Sequence, residues 1–394
     1  MEQPFVFASA MTTEPEADQA IQALTAGLAS QTTGADPDLV ALFLSADFTH
    51  QTRDIVHKLL IALNPRVLIG CTAEGVIGSA EEIERSPAIS LVAGHLPGVS
   101  IEPFVVQPVS WSRTLSDEEE FRSFIGAEPG TKLFITLADP FSTPINDLLA
   151  TFNRFYPGIP MAGGMASGAV RSGGNRLFIN DQIVDGGVVG LSLGGSFECE
   201  VLVSQGCRPI WQPFTVDSCK DNLILNLDGQ PPLAWIDDLI PELPEDDRAL
   251  LQEGLFIGRA IDPKRENYGR GDFLIRSVVG VDQRTGAIAV GDNLQHGERI
   301  QFHLRDAVTA KEDLEMMLLP QIFRQPPSGA LLFSCNGRGI RLYDHPNGDV
   351  TIIQQNLGDI NLAGLFCAGE IGPIGGKNFL HGHTASLVLF RPVP

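Results

Sequence analysis

What this 394-residue sequence has little of narrows its class before any motif is read. No apolar run approaches the ~20 residues that a membrane-spanning helix needs. Basic residues are scarce: 27 Lys and Arg stand against 48 Asp and Glu, a formal net charge of −21. Clustered cations are what grip nucleic-acid phosphates, so neither a nucleic acid nor an anionic membrane is an expected partner. The six cysteines, at 71, 199, 207, 219, 335 and 367, include no Cys-x-x-Cys pair. That absence argues against a disulfide framework and a structural zinc site. The opening Met1-Glu2-Gln3-Pro4 has neither the basic start nor the apolar core of a signal peptide. A cytoplasmic protein with reduced thiols is the expectation. Long disordered tracts are missing as well, since 43% hydrophobic and 19% charged residues suit a packed core.

What is present is a pattern that returns three times: an apolar strand, an intervening segment, a glycine-rich strand, then a further strand. The copies begin at Leu39, Lys132 and Ala330, and their glycine-rich strands run through 66–75, 159–168 and 362–370. Helices are expected in the intervals, where Ile55, Leu59 and Leu63 share one face and Ile145, Leu149, Phe152 and Tyr156 another. The third interval needs a turn at Asp344 to Gly348, leaving a short helix over 350–357. Thr13 with Glu16, and Ser116 with Glu119, have capping-box spacing. Between the second and third copies, Phe273 to Val281 and Ala287 to Val290 read as a hairpin. Arg299 to Arg305 reads as a strand, and Lys311 to Phe323 as an amphipathic helix. The acidic stretch 237–247 reads as a boundary. Together these predict an α+β fold: repeated strand-helix-strand units forming mixed or antiparallel sheets, packed face to face with helices outside, in two similar domains.

Three short segments near the C-terminus combine glycine with reactive polar groups: Phe333 to Gly339, Phe366 to Pro373, and Asn378 to His383. In Cys335-Asn336-Gly337-Arg338-Gly339 the glycines favour a tight turn. Arg338 there either grips a ligand carboxylate bidentately or pairs with a protein carboxylate, Glu370 being the candidate. Glu370 lies in an apolar stretch and must be paired, hydrogen-bonded or protonated. Glu74 sits at the corresponding place in the first copy. Asn378 and His381 are ligand-facing candidates; with His383 and Glu370 they make too weak a set for a metal site to be expected. Cys71 and Cys335 follow apolar strands and read either as small buried hydrophobes or as a nucleophile. Gly372 to Asn378 lacks the glycine and Ser/Thr of a phosphate loop, so no nucleotide cofactor is expected.

The order and spacing of these segments resemble the FIST family, the F-box and intracellular signal transduction domains. Ile69 to Gly75 and Met161 to Gly164 are similar to its N-terminal domain, and Cys335 to Gly339 with Gly369 to Pro373 to its C-terminal domain. The resemblance implies two domains, 1–235 and 236–394, and a non-catalytic sensory module for a small ligand, an amino acid or small carboxylate. It implies a site formed by Asn336, Arg338, Glu370 and Asn378, joined by Cys335, His381, Glu74 and Cys71. The chain leaves no room for a kinase, cyclase or F-box, so a separate signalling protein is the expected partner. Two rival readings stay open: a Cys335 hydrolase with His381 as base, and a scaffold that docks a partner through 237–247.

Overall fold

A computed structural model describes residues 4–31 and 36–393. The chain is α+β and divides into two compact units. Of the described residues, the first comprises those up to 204, 314–380 and those from 384 on, and the second 205–313 with 381–383. No helix among the described residues is long and apolar enough to cross a membrane.

The first unit is built on three six-stranded sheets that repeat one order. In the first sheet the order is Val6–Thr12, Ile89–His95, Leu39–Ser45, Val67–Ala73, then the hairpin Leu177–Ile179 and Gln182–Val184. The second runs Val99–Val106, Val188–Gly195, Thr131–Ala138, Met161–Met165, then Glu370–Ile374 and Lys377–His381. The third runs Phe197–Gln205, Thr384–Pro392, Gly329–Cys335, Leu362–Cys367, then Gly75–Ile77 and Glu82–Glu84. Each copy therefore donates its hairpin to a neighbouring copy's sheet, and the exchange closes in a ring of three. Within each copy the two central strands are parallel.

The glycine-rich character of the second parallel strand has a steric cause. A Cβ at Gly70, Gly163 or Gly364 would lie 1.8, 1.8 and 2.1 Å from the carbonyl oxygens of Leu42, Thr136 and Leu332. Each of those residues is the glycine's registered partner on the adjacent strand. Any side chain would thus strike rigid backbone at the equivalent point of all three copies. The inner faces of the three sheets share one apolar core, with Phe43, Ile69, Ile135, Leu191, Phe333 and Leu365 among its members. Helices cover the outer faces: Ala17–Ala29 and Thr52–Leu63 on the first sheet, Glu118–Ile125 and Ile145–Phe155 on the second.

The second unit contains a closed six-stranded barrel. In the chain it lies between the edge strand Phe197–Gln205 and the helix Ala307–Leu318 of the third copy. Its interior is filled by Phe214, Ile257, Ile288, Ile300 and Phe302. The expected hairpin is there, Phe273–Asp282 pairing antiparallel with Ala287–Val290.

Several local expectations need correction. The stretch 237–247 is folded, running from the helix Pro232–Leu239 into the helix Glu245–Glu253, and Asp247 is ion-paired with Arg208. Neither capping box forms. The helix that Ser116 was to cap starts later and is capped by Asp117, whose carboxylate accepts from Glu120 N at 3.0 Å. Thr12, not Thr13, accepts a backbone bond, from Glu14 N. The helix from 307 ends at Leu318 and continues as the 3-10 turn Leu319–Phe323, because Pro320 supplies no amide hydrogen.

Candidate functional site

Within the first unit, the chain segments that leave the glycine-rich strands meet one another. Glu74 N donates to Ser167 Oγ at 2.8 Å, and Ser167 Oγ donates to the carbonyl of Phe366. Met165 and Ala368 exchange further backbone bonds with this third crossover, Met165 N donating to Gly369 O at 2.8 Å. Segments far apart in sequence thereby converge where Cys335 ends its strand. Asn336 N donates to Cys367 O at 2.9 Å, and Arg338 N to Cys335 O at 2.8 Å, closing the tight turn. Gly339 then takes φ +62, the left-handed region that the Asn-Gly-Arg-Gly sequence was expected to need.

Two arginines leave this turn in different directions. Arg338 is fully buried, and its fork holds Asp349, with Nε 2.9 Å from Oδ2 and Nη2 2.6 Å from Oδ1. Tyr343 Oη accepts from Nη2 at 2.7 Å and donates to Asp349 at 2.8 Å, and Ser334 Oγ adds 2.7 Å to Oδ2. Burial alone would push the Asp349 carboxyl up, but the Arg338 ion pair holds it below the usual range. The buried Glu82 nearby has the opposite fate, pushed up to about 8 by burial and by the charge of Asp349. Its Oε1 accepts from Val350 N at 2.8 Å. The carboxylate gripped by Arg338 is therefore Asp349, not Glu370, and one arginine stands against two buried acids.

Arg341, by contrast, is about one-third exposed and pairs with the equally exposed Glu74. Its Nη1 donates to Asn336 O at 2.8 Å. The side-chain Oδ1 of Asn336 is buried and has no hydrogen-bond partner among the described residues.

Glu370 is fully buried. Its Oε2 accepts from Thr384 Oγ1 at 2.9 Å and Thr384 N at 3.2 Å. Desolvation outweighs these bonds and pushes it up to about 8. Glu370 does not occupy the place of Glu74. Counted from the equivalent glycines, Glu74 lies four residues beyond Gly70, a place that Ala368 fills beyond Gly364, whereas Glu370 lies six beyond Gly364. Cys71 and Cys335 are not matched either: Cys71 lies within the second parallel strand of its copy, Cys335 at the end of the first. Burial pushes the Cys71 thiol up.

Asn378 lies elsewhere. Its Oδ1 accepts from Met161 N at 2.8 Å and its Nδ2 donates to Ile159 O at 2.9 Å. Asn153 binds its backbone from the other side, so Asn378 clamps a helix to a strand end and both ends of its amide are engaged internally. That corrects the expectation of a ligand-facing amide. His381 is buried and groups with the second unit, as does His383, whose ring stands 4.5 Å from Phe256 and 3.3 Å from Ser277 Oγ.

Sequence reasoning missed Asp349, Tyr343, Arg341 and Glu82, and placed Ser167 at the position of Glu74 in the second copy, four residues beyond Gly163. One signal was available: an acid at 349 just before the apolar Val350, Ile352 and Ile353 had to be buried with a cation. Arg341 and Tyr343 are local to the turn, in the short helix Ile340–Tyr343, whereas Glu82 comes in on an exchanged hairpin, which local pattern does not encode. Two cavities of about 540 Å³ open elsewhere on the first unit, one lined by Ser9, Ser79, Gln354 and Asn361, the other by His50, Arg53, His57 and Asp181.

The sequence matches the family models for the FIST N domain over residues 38–230 and the FIST C domain over 233–373. It is similar to an uncharacterized protein of Mycobacterium tuberculosis (strain H37Rv), 36% identical over 386 residues, covering 96% of this chain and 98% of that protein. It is likewise similar to an uncharacterized protein of Mycobacterium bovis, 38% identical over 381 residues, covering 96% and 97%.

Proposed function

The chain belongs to the FIST family, whose domains are generally sensory and signal-transducing, and from that premise we propose that it binds an amino acid or a small carboxylate without catalysis. The observation that supports this reading is the unpartnered Asn336 Oδ1 beside the Glu74–Arg341 pair, which is about one-third exposed. A zwitterion can replace such a pair with its own charges. Its carboxylate takes the Arg341 fork, its ammonium takes Glu74, and the idle Asn336 oxygen accepts a further ammonium hydrogen. Little is lost in the exchange, because an exposed ion pair contributes only about 0–1 kcal/mol. In this reading the anchor is Arg341 and not the fully buried Arg338, whose Nε and Nη2 are held by Asp349. The signal would pass to a separate protein.

A thermal-shift screen of the purified chain against amino acids and small carboxylates tests the proposal. A ligand at about 100 times its dissociation constant stabilises the fold by about 2.7 kcal/mol. Arg341→Ala should abolish the shift. Persistence of the shift in that variant would remove Arg341 from the site, and silence across the whole screen would defeat the ligand class.

A further inference from the structure

Cys335 and Cys367 are registered Cα partners at the ends of two adjacent parallel strands. Neighbouring strands stand about 4.8 Å apart, inside the roughly 4.4–6.8 Å that a disulfide spans between Cα atoms. Registered residues point to the same face, and here Leu331 and Phe333 before Cys335 share one core with Ala363, Leu365 and Cys367. The two thiols differ in what surrounds them. Cys335 is 9% exposed, while Cys367 is closed off at 0%. Around Cys335, Gly337 N–H points at the sulfur from 3.4 Å, and the guanidinium groups of Arg338 and Arg341 both act on it electrostatically. The thiolate is the form that attacks an oxidant.

We propose that Cys335 and Cys367 are a redox pair, in which Cys335 is the hydroperoxide-sensitive thiol and Cys367 resolves it. The Cys335 sulfur attacks one oxygen of hydrogen peroxide, breaking the O–O bond, to give a sulfenic acid and one water. The Cys367 sulfur then attacks the Cys335 sulfur, expelling the second water and closing the disulfide. Peroxide is reduced by two electrons and the thiol pair is oxidised by two. Within the sheet the bridge has a mechanical consequence. Cys367 Sγ packs so closely on Gly164 that a Cβ there would lie 2.2 Å away, and Gly164 is the registered partner of Glu370. Drawing Sγ toward Cys335 removes that contact from the strand paired with Glu370. This proposal does not depend on a ligand at Glu74 and Arg341.

The test treats the full chain with a small excess of hydrogen peroxide, counts thiols after denaturation, and maps bridges in a non-reducing digest. The expected result is loss of two of the six thiols, a peptide linking Cys335 to Cys367, and full recovery with dithiothreitol. Cys367→Ser should stop at the sulfenic acid, trapped by dimedone on Cys335. The mapping on the unsubstituted chain decides the matter even if that variant fails to fold. Six intact thiols after treatment, or a bridge from Cys367 to Cys71, would overturn the proposal.

Discussion

Arg338 and Arg341 leave the same turn, and each grips a carboxylate, yet the two pairs stand in different physical regimes. The Arg338–Asp349 pair is sealed, at 1% and 0% side-chain exposure, and Tyr343 and Ser334 add hydrogen bonds to it. The Arg341–Glu74 pair stands at 36% and 34%, where water screens it and either partner can be exchanged. Breaking a sealed pair leaves an uncompensated charge in low dielectric, whereas breaking an open one returns both charges to water. Motif reading singled out the conspicuous arginine. Exposure, which the motif does not carry, is what points to the other as a place for a ligand.

The largest effect should come from attacking the sealed pair. Arg338→Ala leaves Asp349 buried and unpaired and should cost about 3–5 kcal/mol, read as a fall in the urea midpoint. A loss under 1 kcal/mol would erase the contrast with Arg341. The glycine contact comes next: Gly364→Ala drives a methyl into the Leu332 carbonyl and should cost about 3 kcal/mol.

Glu370 sharpens the comparison by pH. Its folded value, about 8, lies above its ordinary 4.5, so between them the folded chain holds a proton that the unfolded chain has lost. Stability therefore falls as pH rises from about 4.5 to about 8, and the loss is complete above that window. Glu82 contributes with the same sign. Glu370→Gln should remove a substantial part of this slope and stabilise the chain above pH 8, on the order of a few kcal/mol. Denaturant melts across that range check it; an unchanged slope would mean that Glu370 is ionised in its site. The smallest effect on stability belongs to the open pair, where Arg341→Ala should cost less than about 1 kcal/mol.

Much of the first unit was legible in the sequence because its signals are local. Apolar runs gave the parallel strand pairs, and the recurring glycines at 70, 163 and 364 marked one steric constraint three times. The ring of exchanged hairpins was not legible. Gly75–Ile77 pairs with a strand almost 290 residues away in the chain, Leu362–Cys367, and no periodicity records such a partner. For the same reason the site was only half seen. Cys335, Asn336, Arg338, Glu370 and Glu74 were recognised as special residue types, but which acid meets which arginine was set by the return of a helix in one case and by the exchange in the other. Asp349 fell to Arg338 because the helix Gly348–Leu357 returns its first turn to the strand end, and Glu74 fell to Arg341 because its crossover meets the turn.

The most direct test of the contrast between the two arginines is a calorimetric titration of the best amino acid or carboxylate from the screen into the unsubstituted chain, Glu74→Gln and Arg341→Ala. The account predicts saturable binding to the first, weakening by tenfold or more (about 1.4 kcal/mol) in each variant, and melting temperatures that stay close to one another. Equal affinity in all three would contradict it, and would return the search for the ligand to a different part of the fold.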